Sequence, residues 1–191
     1  MVERWFCAAA ALVLLTGCSA VKNPEKLAAS VRDVYAAAPS VELVVDITSD
    51  LDEETMTYRI GYTQEQDEQG VSAVMTVLAP ASIAGISAEI TGEDFVFSYE
   101  DAELETAMPD RKGLTPADVL TYLLYDLRNT VPAQVWKEGD WLALRYEAVT
   151  EAYTAVKEVY LHAQTGALHE ARIYCDGKQI MRCAFESCAL K

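Results

Sequence analysis

Nine consecutive residues, Val119 to Leu127, carry apolar side chains at seven positions: Val119, Leu120, Tyr122, Leu123, Leu124, Tyr125 and Leu127. They follow Thr115-Pro116-Ala117-Asp118, a capping box with Asp in place of the usual Glu, so the segment reads as a helix. A surface helix needs one apolar stripe, whereas this one is apolar on more than one face. It must be sandwiched, covering a concave sheet. That requirement narrows the architecture more than any other stretch of the chain.

The sheet is legible on both sides of this helix. Asn23-Pro24-Glu25 starts an earlier helix, with Leu27, Val31, Val34 and Tyr35 at helical spacing and Pro39 forcing its end. Five extended runs follow, over 41–48, 55–63, 71–79, 82–91 and 94–99. Val41/Leu43/Val45/Ile47 and Met56/Tyr58/Ile60/Tyr62 alternate, which marks strands with one buried face. Further strands are expected over 141–148, 153–163, 167–175 and 178–189. The uncharged stretch from Val71 to Ala88 is too polar for a membrane helix and holds Pro80 in mid-span, so it reads as two strands and a turn. The fold class is therefore α+β.

Parity registers the last two hairpins. A three-residue loop Gln164-Thr165-Gly166 pairs Ala163 with Ala167 and places Val159, Leu161, His169, Ala171 and Ile173 on one face. Met181, Cys183 and Phe185 join that face only if the next loop is odd-numbered, although Asp176-Gly177 suits a two-residue turn. Burial is expected to outweigh turn preference, giving an odd loop around Gly177.

The N-terminus sets the compartment. Trp5 to Leu15 is an apolar run of signal-peptide length, too short to span a membrane, and Leu15-Thr16-Gly17-Cys18 looks like a lipobox. The expected organisation is a lipoprotein signal peptide over 1–17, a lipidated Cys18 with a short tether over 18–23, and a single domain over 24–191. A diacyl anchor on Cys18 would hold the domain at the bacterial cell membrane on its extracytoplasmic side. Lys+Arg 15 against Asp+Glu 30 gives a net charge of -15, and such a surface repels nucleic-acid phosphates and anionic lipid headgroups, which makes both poor electrostatic partners; no nucleic-acid partner is expected.

No catalytic pattern stands out. The chain has no Gly-rich phosphate loop, GxSxG elbow or HExxH pair, and no enzyme activity, metal or cofactor is expected. His162 and His169 are assigned to opposite faces of their hairpin, too far apart to share a metal ion. Cys175, Cys183 and Cys188 are too distant for intramolecular bridging and read as free thiols, an intermolecular bridge being the alternative. The acids of 50–54 and 100–105 read as solvated turns. Tyr122 and Tyr125, with Trp136 and Trp141, either line an apolar cleft or fill the core.

Two stretches carry a family likeness. One is Ala79-Pro80-Ala81-Ser82-Ile83-Ala84-Gly85-Ile86 leading to Phe95-Val96-Phe97-Ser98-Tyr99; the other runs from Val159-Tyr160-Leu161 through Thr165-Gly166-Ala167-Leu168 to Ile173-Tyr174-Cys175-Asp176-Gly177-Lys178. With the lipobox and the element order, the chain resembles the LolA/LolB superfamily, and most closely the GerS-like lipoproteins of Gram-positive bacteria. The resemblance implies a strongly curved, incompletely closed antiparallel β-barrel, a half-barrel with helices covering its concave face. It also implies a cavity for acyl chains. The arginine that gates cargo in the soluble carrier has no matching position, so no cargo residue is carried over.

Two functions follow as expectations. The first is a non-catalytic lipoprotein binding a lipid, acyl chain or other hydrophobic ligand, with Val119, Leu120, Tyr122, Leu123, Leu124 and Leu127 as cavity or lid. The second is a scaffold for an extracytoplasmic protein partner such as a cell-wall enzyme.

Overall fold

The computed structural model describes residues 23–51, 54–68, 70–92, 94–107 and 112–191. The expected signal segment and Cys18 lie outside the described residues. Helix α1 (Pro24–Ala37) leads into six strands: β1 (Ser40–Leu51), β2 (Glu54–Asp67), β3 (Gly70–Ala79), β4 (Ser87–Thr91), β5 (Asp94–Tyr99) and β6 (Ala102–Ala107). Helix α2 (Val119–Asn129) then precedes β7 (Gln134–Glu138), β8 (Trp141–Val149), β9 (Thr154–His162), β10 (Leu168–Cys175) and β11 (Lys178–Leu190).

The eleven strands of the described residues form one sheet, in the order β6-β5-β4-β3-β2-β1-β11-β10-β9-β8-β7. The chain winds outward from β1 to β6, crosses through α2, and returns from β7 to β11, which pairs antiparallel with β1. Among the described residues the strands β6 and β7 are the edges and do not pair with each other, so the sheet stays open: this is the expected half-barrel. The buried set comes from its inner face, with Val41, Leu43, Val45 and Ile47 of β1 in the same cluster as Leu142 and Leu144 of β8. Both helices contribute to that cluster, α1 through Ala28, Val31 and Tyr35. Asn23 caps α1, its side-chain oxygen accepting from the Glu25 N–H at 2.9 Å.

Several expectations need correction. The run expected as a strand from Ser82 begins at Ser87, because residues 80–84 turn, with the Ile83 N–H bonded to the Pro80 carbonyl. The acids Glu103 and Glu105 lie on β6 and not on a turn. Its residues are all exposed, so no buried face marked it as a strand. The short β7 also went unforeseen.

The last hairpin satisfies both competing preferences. Asp176 and Gly177 make a two-residue turn, both with positive φ (50° and 80°), as a type I′ turn requires. A bulge then restores parity: Tyr174 pairs with Gln179 but Ile173 pairs with Met181, and Ile180 is the extra residue. Met181 and Cys183 thereby share the buried face with Ile173 as expected, without the odd loop. A second bulge, at His169, lets Leu168 take the inner place opposite Leu161 and turns His169 outward.

Candidate functional site

The site is built around α2. The Asp118 carboxylate accepts from the Gly113 N–H at 2.7 Å, the Thr115 N–H at 3.0 Å and the Thr115 hydroxyl at 2.6 Å. This is the reach-back half of the expected capping box, with an Asp in the Glu role. Burial pushes the Asp118 pKa up, against the hydrogen bonds from Thr115 and Gly113. Gly113 has φ +78°, and a Cβ there would lie 2.9 Å from the Tyr122 Cβ, so only glycine lets the incoming chain pass this close to the helix.

Val119, Leu120, Leu123, Leu124 and Leu127 are all buried in the core. They press α2 onto the sheet and do not line the cavity beside it. Tyr122 is different. It lies on the opposite flank with Tyr125, which is 57% exposed, and these two tyrosines form a ridge with an opening on either side.

On one side a cavity of about 380 Å³ lies between α2 and the inner face of β2–β4. Its walls combine the apolar Val71, Ala73, Ile90, Tyr122 and Tyr125 with the polar Gln64, Thr121 and Arg128. On the other side a wider opening of about 650 Å³ faces β8 and β9, and its rim is charged. Three of those rim charges are already matched, since Lys157 Nζ donates to Asp126 at 2.7 Å and Arg145 Nε donates to Glu147 at 2.7 Å.

A polar chain runs beneath the first cavity. Arg128 Nη1 donates to the Gln64 side-chain oxygen at 2.6 Å, and Gln64 Nε2 donates to the Tyr62 hydroxyl at 3.2 Å. That leaves the Tyr62 hydroxyl to donate to Thr121 Oγ1 at 3.0 Å. Burial raises the Tyr62 pKa to about 12, so the phenol is neutral at physiological pH. Arg128 Nε donates to the Tyr35 carbonyl at 3.1 Å, in the last turn of α1. α1 has no basic residue of its own in that turn, so α2 supplies the cation its carbonyl end favours.

The other aromatic candidates sit elsewhere. Trp141 stacks on His169 with ring centroids 3.9 Å apart and meets His162 at 4.8 Å. Both histidines are therefore on the outer face, because the bulge at His169 overrides the parity that assigned them to opposite faces. Trp136 meets Tyr160 edge-on at 6.3 Å. Cys183 and Cys188 are free thiols, and Cys183 is fully buried, which raises its thiol pKa to about 12. Arg128 and Gln64 went unremarked in the sequence, where a cation in a last helical turn looks like an ordinary solvated terminus.

No family model matches the chain, and no curated protein matches it by sequence. Solved structures do share its fold. An uncharacterized conserved protein from Thermus thermophilus superposes with a TM-score of 0.51 at 11% identity, over 86% of this chain and 87% of that one. A DUF1329 family protein from Desulfovibrio piger gives 0.52 at 9% identity, over 88% and 92%. A LolA superfamily protein from Nitrosomonas europaea is also similar, with a TM-score of 0.46 at 12% identity over 88% and 93%.

Proposed function

We propose that this chain is a non-catalytic extracytoplasmic lipoprotein that takes a lipid acyl chain or other hydrophobic ligand into the cavity beside α2. Cys18 carries the membrane anchor, and residues 24–191 form the binding domain. The observation that carries this reading is the cavity itself, which lies between α2 and the inner face of β2–β4 and is walled on its apolar side by Val71, Ala73, Ile90, Tyr122 and Tyr125. In this reading Val119, Leu120, Leu123, Leu124 and Leu127 fasten α2 as a lid, and Tyr122 is the member of the predicted set that touches the ligand.

The competing reading, a scaffold for a protein partner, draws on the outer face. There Val74 and Leu78 are 46% and 48% exposed around a shallow groove that includes Gly61. Native mass spectrometry of residues 19–191, which contain every described element, separates the two. A co-purifying mass of a fatty acid or other single-chain lipid, lost in Tyr122→Ala, is the expected result. A bare protein that also takes up no added fatty acid would sink the ligand reading and direct the search to pull-downs.

A further inference from the structure

Among the described residues, the cavity holds a cation without an anion. Arg128 is 6% exposed, and the groups its Nε and Nη1 reach, the Tyr35 carbonyl and the Gln64 amide, are both neutral. Its Nη2 is buried and has no hydrogen-bond partner among the described residues. Burial lowers the Arg128 pKa, and the one group opposing it among the described residues is the hydroxyl of Tyr62, which is itself neutral. Among the described residues no Asp or Glu lines this cavity, although the chain has 30 acids against 15 bases. A desolvated guanidinium with an unmade bond is a costly arrangement, and the carbonyl end of α1 offsets it only in part. The fork geometry of arginine suits two anionic oxygens, such as those of a carboxylate or a phosphate.

We propose that the cavity beside α2 is a site for a single-chain anionic amphiphile, its headgroup oxygens pairing with Arg128 and its hydrocarbon chain lying along Val71, Ala73, Ile90 and Tyr122. This rests on the ligand-binding reading above and specifies its chemistry. A volume of about 380 Å³ is near the lower end for small-molecule sites, which suits one chain and leaves no room for a diacyl lipid. The polar end formed by Gln64, Thr121 and Arg128 then orients the molecule, head toward the α1 terminus and tail toward β3 and β4.

The test is calorimetric titration of residues 19–191 with dodecanoate, dodecyl phosphate and dodecanol, each below its aggregation limit. Either anion should bind at least tenfold more tightly than the alcohol, and the tighter of the two identifies the headgroup. Arg128→Met should reduce both anions to the level of dodecanol. Equal binding of all three by the native domain overturns the headgroup assignment while leaving the cavity reading in place. Binding of none overturns both. Acetate or inorganic phosphate binding as tightly as the amphiphiles would show a small-anion site and also overturn the proposal. Where Arg128→Met fails to fold, the native anion-to-alcohol ratio still decides.

Discussion

Glu170 shows how one residue can couple this fold to pH. Its carboxylate on β10 is almost fully buried, yet it accepts from Arg172 Nε at 2.6 Å and from Arg182 Nε at 3.0 Å. Burial alone would raise its pKa, but the hydrogen bonds from Arg182 and Arg172 outweigh that and hold it below the ordinary glutamate value. The folded state therefore binds its proton less readily than the unfolded chain does. The stabilisation is complete above the unfolded glutamate pKa and is lost as pH falls through the lower folded value. Glu170→Gln should cost about 1 kcal/mol near neutral pH, a modest figure because both arginines are partly exposed. Urea titrations across the acid range should show the native protein losing that advantage over the variant; a pH-independent difference would refute the coupling.

Helix α2 makes a contrast that can be measured within one element. Leu123 is fully buried and Tyr125, two residues on, is 57% exposed. Leu123→Ala should cost about 2–5 kcal/mol through lost burial and the cavity left behind, whereas Tyr125→Ala should stay within about 0.5 kcal/mol. Chemical denaturation midpoints of the two variants decide it, and similar losses would mean that α2 is not seated as described. The same helix marks how far sequence reasoning reaches. The apolar excess of Val119–Leu127 announced a sandwiched helix, because that pattern is local. The burial of Arg128 is not local, since it depends on the carbonyl end of α1 arriving beside it from 93 positions away in the sequence. Strand alternation located the inner faces of β1, β9 and β11 for the same local reason. Parity counting failed at His169 and at the Asp176-Gly177 turn because it assumes an unbroken ladder, and a bulge lets the chain keep both its turn and its buried face. The strand β6 was illegible because an edge strand with no buried residue leaves no period-two trace.

At the scale of the whole molecule the dominant electrostatic fact is an excess of acid, a net charge of -15. Two opposing effects of salt follow. Screening weakens the ion pairs, among them Lys157–Asp126 and the Glu170 pairs with Arg172 and Arg182. It also weakens the mutual repulsion of carboxylates spread over the sheet and its connections. The pairs at Lys157 and Glu170 act over hydrogen-bond distances, with at least one partner largely withdrawn from solvent, so they are screened least. The repulsions act across the surface, beyond the ~10 Å over which charges still sense one another in 0.1 M salt, and are screened first. Repulsion also grows with the square of net charge, whereas the pairs contribute singly and, at the surface, little. The compact state should therefore gain more from salt than it loses. The thermal unfolding midpoint of residues 19–191 should rise between 10 mM and 300 mM sodium chloride, and equally in potassium chloride, since the effect is one of ionic strength. A falling midpoint would mean that the ion pairs, and not the net charge, set the electrostatic stability of the sheet.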